Sequence, residues 1–462
     1  MIFLHDASAG AAAETPEGRD RVIDGVRAFA IVGVVFGHLL MGLVYWKDGV
    51  PYLGNLLASS IQLQLLTWLL QVMPFFFIAG GAANLLSWQS ASAKEMPYHI
   101  WVWNRVRRLM KPIIIYMAVM APVGAIVYKL VMPSVATPLL LLTTQLLWFV
   151  GIYTLITAMT PLLIRMEAKL HFAAAAFWFA LVTMIDLGRL SWGWPGGLGL
   201  INFIGVWAIA SHCGFWYIQR QANRAQVTAL GLLLLALNIV IVRLGPYPVS
   251  LVGLPGEEFS NMAPPSLVMA IHTLIAFCAL TALRPAIARF LDVPRIWRRV
   301  VEINIAAMTI YLWHLPMIVL VTLLFHTIGW DRPSIRTAEG VVLPSDGFLL
   351  ASIPYWVLAA WAIFWLVQVL WFTEQMRLPW WDKRVEKSSG SWLNELLAIC
   401  GVSATGVSLI LLAGSGLAGF PNRVTELSGF RWTSGQAVIV LAIGIAAIRT
   451  AVAIGPKTEP KN

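Results

Sequence analysis

Val22 to Tyr45, VIDGVRAFAIVGVVFGHLLMGLVY, is the stretch that decides the fold. It is apolar throughout except for three ionisable side chains, Asp24, Arg27 and His38. At about 1.5 Å of rise per residue, a helix of this length crosses a hydrocarbon core of about 30 Å. Eleven further apolar runs follow it: Leu57 to Leu86, Pro112 to Val131, Leu139 to Ile164, Phe172 to Leu187, Leu198 to Ile218, Val227 to Val242, Leu267 to Leu283, Ile303 to Ile328, Phe348 to Phe372, Leu393 to Gly419 and Gln436 to Ile454. The pattern predicts an all-α fold, a polytopic transmembrane helix bundle of about twelve spans. The fifth and seventh runs are the shortest.

Composition supports this. Of the 462 residues, 59% are hydrophobic and 12% charged, against about a quarter charged in a soluble domain. So few charges cannot cover a water-facing surface, so most of the chain faces lipid or other helices. The N-terminal residues up to Asp20 hold no long apolar stretch and do not read as a cleavable signal peptide, which leaves the first span as its own insertion signal. Cys213, Cys278 and Cys400 lie inside apolar runs without paired or metal-ligand spacing, so neither a disulfide framework nor a metal site is expected.

The net charge of +10 invites a nucleic-acid partner, but the placement of the charges gives another reading. With a cytoplasmic N-terminus, the outer segments hold only Lys47, Lys129, Arg189, Arg243, Arg332, Arg336, Arg423 and Arg431. The other 24 of the 32 basic residues fall on the inner side. That threefold bias predicts both termini in the cytoplasm and accounts for the basic balance without nucleic acid. Trp46, Trp192, Trp194, Trp330, Trp380, Trp381 and Trp432 stand near expected span ends, where indole rings collect at the lipid–water interface. Two outer loops are long, Gly245 to Pro265 with Glu257 and Glu258, and Gly329 to Gly347. After Phe372 an inner loop with Arg377, Asp382, Lys383, Arg384, Glu386 and Lys387 sets the last two spans apart. The expected organisation is an N-terminal cytoplasmic tail over 1–18, a ten-span core over 19–375, a cytoplasmic linker over 376–391, and two extra spans with a short tail over 392–462.

Ionisable residues inside spans are costly and point to function. Arg27 and His38 are eleven positions apart, about 20° beyond three full helical turns and about 16 Å along the axis. They share one helix face, and Asp24, a turn before Arg27, can pair with it. Read blandly, this is an interfacial ion pair and a hydrogen-bonded core histidine. Read functionally, one stripe carries a guanidinium near the membrane surface and an imidazole deep within. Arg105, Arg107, Arg108 and Lys111 form a second cluster, in the expected loop before the third span. Clustered guanidiniums chelate phosphate oxygens, though the same cluster also serves as topology anchoring. Tyr311-Leu312-Trp313-His314-Leu315-Pro316 is a third candidate, where His314 reads more readily as a packed histidine bonding across helices. No phosphate loop, zinc-type spacing or nucleophile elbow is present.

These motifs together resemble the bacterial acyltransferase 3 family. Arg21 to Ile31 followed by His38 is similar to its first-span signature, an arginine and a histidine eleven positions apart. Phe75-Phe76-Phe77-Ile78-Ala79-Gly80 resembles its Phe-Phe-x-Leu-Ser-Gly stretch, with Ala79 in place of the usual serine. Arg105-Val106-Arg107-Arg108 is similar to its R-x-x-R motif, and Trp148-Phe149 and the Tyr311 to Pro316 segment also fit. The resemblance covers about Arg19 to Phe372, and the family core has ten spans. It implies a multi-pass protein of the bacterial cell membrane that moves an acyl group, often acetyl, from cytoplasmic acyl-CoA to a hydroxyl of a carbohydrate, lipid or other envelope or secreted acceptor, with no bound cofactor. His38 would be general base or covalent acyl carrier and Arg27 its catalytic companion. Arg105, Arg108, Asp24 and Trp148 would bind substrate. The rival class is a transporter or lipid flippase without acyl chemistry, against which no repeated halves or paired broken helices are evident.

Overall fold

The computed structural model describes residues 4–16, 18–254, 257, 259–382, 391–427 and 430–454. Glu258, Lys383, Arg384, Glu386 and Lys387, half of the expected 376–391 linker, the side chain of Trp380 and the C-terminal tail after Ile454 lie outside them.

The chain runs through α1 (Leu4–Ala13), α2 (Arg21–Met41), β1 (Gly42–Lys47), β2 (Val50–Asn55), α3 (Ile61–Leu70), α4 (Met73–Ser92), α5 (Tyr98–Leu130), α6 (Pro133–Thr144) and α7 (Leu147–Leu170). It continues through α8 (Phe172–Ser191), α9 (Ile201–Gln219), α10 (Arg224–Leu244), α11 (Leu267–Leu291), α12 (Pro294–Ile305) and α13 (Ala307–Thr327). The remainder is β3 (Ser334–Arg336), β4 (Val342–Pro344), α14 (Phe348–Leu370), α15 (Phe372–Gln375), α16 (Pro379–Asp382), α17 (Trp392–Ser415), β5 (Val424–Leu427), β6 (Phe430–Thr433) and α18 (Ser434–Ala453). Twelve helical segments of the described residues are long and apolar enough to cross a membrane. The protein is an all-α polytopic bundle. Among the described residues the strands form three antiparallel two-stranded sheets in the connections.

Four details depart from the apolar runs. The first run extends to Tyr45, yet α2 stops at Met41 and Gly42 opens β1, which pairs with β2 from Gly42↔Asn55 to Lys47↔Val50. Leu43, Val44, Tyr45 and Trp46 are apolar, but β-branched and aromatic residues also suit a hairpin, and the turn at Asp48-Gly49 takes positive φ at both positions. The second and fourth runs are each two helices in series, broken before Met73 and before Leu147. The ninth run begins in the last turn of amphipathic α12, which carries Glu302 and Asn304, and continues as α13 after a break at Ala306. Finally, Arg105, Arg107, Arg108 and Lys111 are not in a loop. They stand within α5, which extends over 33 residues because Trp101, Val102, Val106, Met110 and Ile113 keep a buried stripe at helical spacing.

Two compact units divide the chain. The first comprises Met1–Ala82 and Arg165–Trp371, the second Ala83–Ile164 and Phe372–Asn462. In the first unit α4 and α9 touch backbone to backbone. A Cβ at Gly81 would meet the Ser211 backbone, and one at Gly214 would meet the Ile78 carbonyl and the Ala82 nitrogen. Small residues allow this approach, as membrane helices require where no hydrophobic force drives them together. Phe77 stacks on Trp207 beside the crossing, with ring centroids 4.3 Å apart. Ala79, fully buried, is at that same crossing. α10 lies on the outside of this unit: Asn238 is its one buried residue, and Leu230, Leu232, Leu233 and Val240 are exposed. Such a face is unfavourable in water and compatible with lipid.

The second unit is built on glycine contacts of the same kind. Gly401 meets the Gly444 carbonyl between α17 and α18, Gly151 meets the Gly406 carbonyl between α7 and α17, and Gly124 meets Leu417. The two last spans therefore wrap α5 and α7. Where α5 is most polar, Lys111 donates to the Met376 carbonyl at 2.9 Å, and Asp382 lies 3.7 Å from Lys111 and 4.0 Å from Arg107.

Candidate active site

α2 carries the candidate chemistry, and its first turn is fixed from several directions. Asp20 caps the helix, accepting from the Val22 and Ile23 amides at 2.9 and 3.4 Å, and pairs with Arg284 at 2.9 Å. Asp24 is buried and held by Arg19, whose Nε and Nη2 donate to its two oxygens at 2.5 and 3.0 Å. Asn304 on α12 donates to the Asp24 carbonyl at 2.9 Å.

This arrangement corrects the pairing expected between Asp24 and Arg27. The bidentate partner of Asp24 is Arg19, five residues back, which approaches from the extended segment before the helix. Arg27 is half-buried and makes no hydrogen bond or ion pair among the described residues. A guanidinium without a carboxylate partner keeps its full attraction for an oxyanion.

Three turns further, His38 meets His314. His38 is half-buried, and His314, on α13, is fully buried. His314 Nε2 lies 3.3 Å from His38 Nδ1, with ring centroids 5.3 Å apart and planes tilted by 37°. The proton positions follow from a third group. His314 Nδ1 is 3.0 Å from the Ile310 carbonyl oxygen. A carbonyl only accepts, so Nδ1 of His314 carries the hydrogen and its Nε2 is the acceptor when the ring is neutral. The hydrogen between the rings then belongs to His38 Nδ1. That leaves His38 Nε2 with a lone pair, the form in which an imidazole takes up a proton. The chain Ile310, His314, His38 thus fixes one tautomer, as the orienting partner of a histidine base does elsewhere.

The pairing was invisible in the sequence, because the two histidines are 276 positions apart. The Tyr311 to Pro316 segment marks His314 as a histidine bonding across helices, but nothing in it names His38 as the partner.

In the second unit, Arg105 donates to the Oδ1 of buried Asn84, whose amide in turn donates to Thr157 Oγ1 at 3.2 Å. The Asn84 amide thus fixes the direction of the Arg105 guanidinium. Arg107 faces Asp382, and Arg108 is exposed with no hydrogen bond or ion pair among the described residues. Trp148 is half-buried, edge-on to Phe149 at 6.2 Å between centroids. Asp24, Arg27 and His38 thus share α2 of the first unit, while Arg105, Arg108 and Trp148 belong to the second.

Fold and site define a class: a multi-pass helical membrane protein with an intramembrane arginine and a histidine pair. Residues 20–372 match the acyltransferase domain model of the acyltransferase 3 family. This is most of the chain, and the protein belongs to that family: it is a membrane acyltransferase. Comparison with curated proteins and with solved structures returns no match.

Proposed function

We propose that the protein transfers an acyl group, acetyl in the simplest case, from acyl-CoA to a hydroxyl of a carbohydrate or lipid acceptor, with His38 as general base. The observation that carries this reading is the His38–His314 hydrogen bond, which together with the Ile310 carbonyl leaves the lone pair on His38 Nε2.

In this mechanism His38 Nε2 takes the proton of the acceptor hydroxyl as its oxygen attacks the thioester carbonyl. The tetrahedral intermediate collapses, the C–S bond breaks, and the coenzyme A thiolate takes the proton back from the imidazolium. The products are the O-acyl ester and free CoA, and His38 is restored. His314 accepts from His38 Nδ1 throughout and so disperses part of the imidazolium charge. Arg27, about 16 Å from His38 along α2, guides the pantetheine arm of the donor by donating to its amide carbonyls, since it has no carboxylate partner among the described residues. Arg105 and Arg108 bind phosphates of the donor. The family assignment favours acyl chemistry over transport.

The direct test uses purified protein in lipid, acetyl-CoA labelled in the acetyl group, and carbohydrate and lipid fractions from the host envelope as acceptors. The expected result is label in one fraction, released by mild alkali as expected for an ester, with free CoA in equal amount. Label that resists alkali, or none with folded protein and every fraction, would overturn the reading.

A further inference from the structure

Arg332, in the connection between α13 and α14, is a buried cation whose charge no carboxylate among the described residues answers. It is 7% exposed, and its Nη1 is buried without a hydrogen-bond partner. Among the described residues it makes no ion pair, since its neighbour Asp331 bonds instead to His326 Nδ1 at 3.0 Å. What surrounds it is aromatic: the guanidinium carbon sits 4.0 Å from the Tyr355 ring centroid and 5.4 Å from that of Phe348. Burial lowers the basicity of this guanidinium, but an arginine stays charged all the same. Ring faces attract a cation but leave its N–H groups unfilled, and a buried charge is expensive unless it is paired and hydrogen-bonded.

A cleft opens on this group. It is lined by Arg332, Tyr355, Thr322, Trp46, Trp330 and Asp331 among others, the Asp331 carboxylate being turned to His326, and holds about 240 Å³ of empty space including its mouth. The enclosed space is narrow and admits about one oxygen at a time. At the mouth, Trp330 is 49% exposed, yet its ring is held by a hydrogen bond from Nε1 to the Ala351 carbonyl at 3.3 Å. Trp46 is braced likewise, stacked on His326 with centroids 3.7 Å apart. A fixed, exposed indole beside a buried, unanswered guanidinium suits a ligand with an apolar ring face and an oxyanion.

We propose that this cleft binds an acidic carbohydrate: its oxyanion on Arg332 and its ring face on Trp330. Resting on the function proposed above, the cleft is an acceptor subsite that selects acidic glycans. Position agrees with this. Thr322, which bonds Tyr355 Oη at 3.1 Å, is eight residues beyond His314 on α13, about 12 Å of helix rise. From the other side, Trp356 donates to the carbonyl of Leu39, the residue after His38, at 3.0 Å. The acylated hydroxyl is therefore not beside the acid but on a more distant part of the acceptor.

The test is a binding measurement without acyl donor. Thermal unfolding of the purified full chain in lipid nanodiscs is followed against glucuronate, glucose and inorganic phosphate. Glucuronate is expected to raise the unfolding temperature in a saturable way, with glucose and phosphate at least about tenfold weaker. Arg332→Gln should weaken glucuronate at least about tenfold. Trp330→Ala should weaken glucuronate and leave the response to phosphate unchanged. Equal responses to glucose and glucuronate, or undiminished glucuronate binding by Arg332→Gln, would overturn the site. A phosphate response as strong as that to glucuronate would overturn its carbohydrate part. Should Arg332→Gln not fold, Arg332 is structural and the site falls, unless Trp330→Ala still weakens glucuronate alone. Because no acyl-CoA is present, binding can hold while acyl transfer fails, or fail while acyl transfer holds.

Discussion

Truncating His38 separates a proton-transfer role from a packing role. A general base contributes about 10² to 10⁴ in rate, so His38→Ala is expected to lose activity far beyond any loss of folded protein. Acyl transfer assayed per mole of folded protein decides this, and near-normal turnover would remove His38 from the mechanism. His314 gives the finer test. His314→Ala takes away the acceptor for His38 Nδ1, whereas His314→Gln keeps an acceptor oxygen. Activity should fall in the order wild type, Gln, Ala; if the two variants are equally active, the hydrogen bond at 3.3 Å has no orienting role. Arg27→Lys should be harmful as well, since lysine keeps the charge but loses the planar fork. The α2 stripe itself was legible in the sequence, from nothing more than helical spacing. Its partners were not: Asp24 is taken by Arg19 from outside the helix, and His314 arrives from a distant span. Spacing rules describe one helix, and both of these contacts are made from beyond it.

The element that departs most from its sequence pattern is α5. Its charges suggest a loop, but the buried stripe of aromatic and aliphatic residues continues beneath them, and the helix continues with it. The cluster is also uneven, because Arg107 and Lys111 face Asp382, Arg105 is oriented by the Asn84 amide, and Arg108 is exposed with no ion pair among the described residues. Arg105→Ala with Arg108→Ala should therefore weaken acetyl-CoA binding, with insertion preserved by the remaining basic residues. Titration of the purified double variant is the check, and unchanged donor affinity would return the cluster to plain anchoring. Helix packing makes a second demand at this scale. Gly214→Ala places a methyl against the backbone of α4 and should destabilise the protein by about 1–3 kcal/mol or more. Gly10→Ala on α1, where a Cβ would meet nothing, is the control, and its unfolding temperature should not fall. Which glycines are contacts and which are not cannot be read from a sequence, since each contact needs the second helix to be in place.

For the molecule as a whole, the sharpest expectation is the side on which each end lies. Basic residues resist translocation, and 24 of the 32 fall on one alternate set of connections and the span ends that adjoin them. An even number of crossings puts both ends on one side, and the charge bias names it as cytoplasmic. The weakest link is α10, which corresponds to one of the shortest apolar runs. It has a single buried residue, Asn238, donating to the Val268 carbonyl at 3.3 Å, and it leans on α11 where Gly231 faces Cys278. It packs along α11 on one face and leaves the rest of its surface exposed, so its crossing rests on hydropathy, a requirement that its exposed leucines meet. Reporters fused after Ile218, after Glu257 and after Asn462 test the chain of crossings at this point. The expected order is inside, outside, inside. A cytoplasmic reporter at Glu257 would mean that α10 lies along the membrane surface instead of crossing it. Every later connection would then change sides, and the C-terminal reporter would read external. That outcome would also place Arg332 and its cleft in the cytoplasm, away from any external glycan. The same three fusions thus test both the twelve-span count and the side from which an external acceptor could reach the cleft.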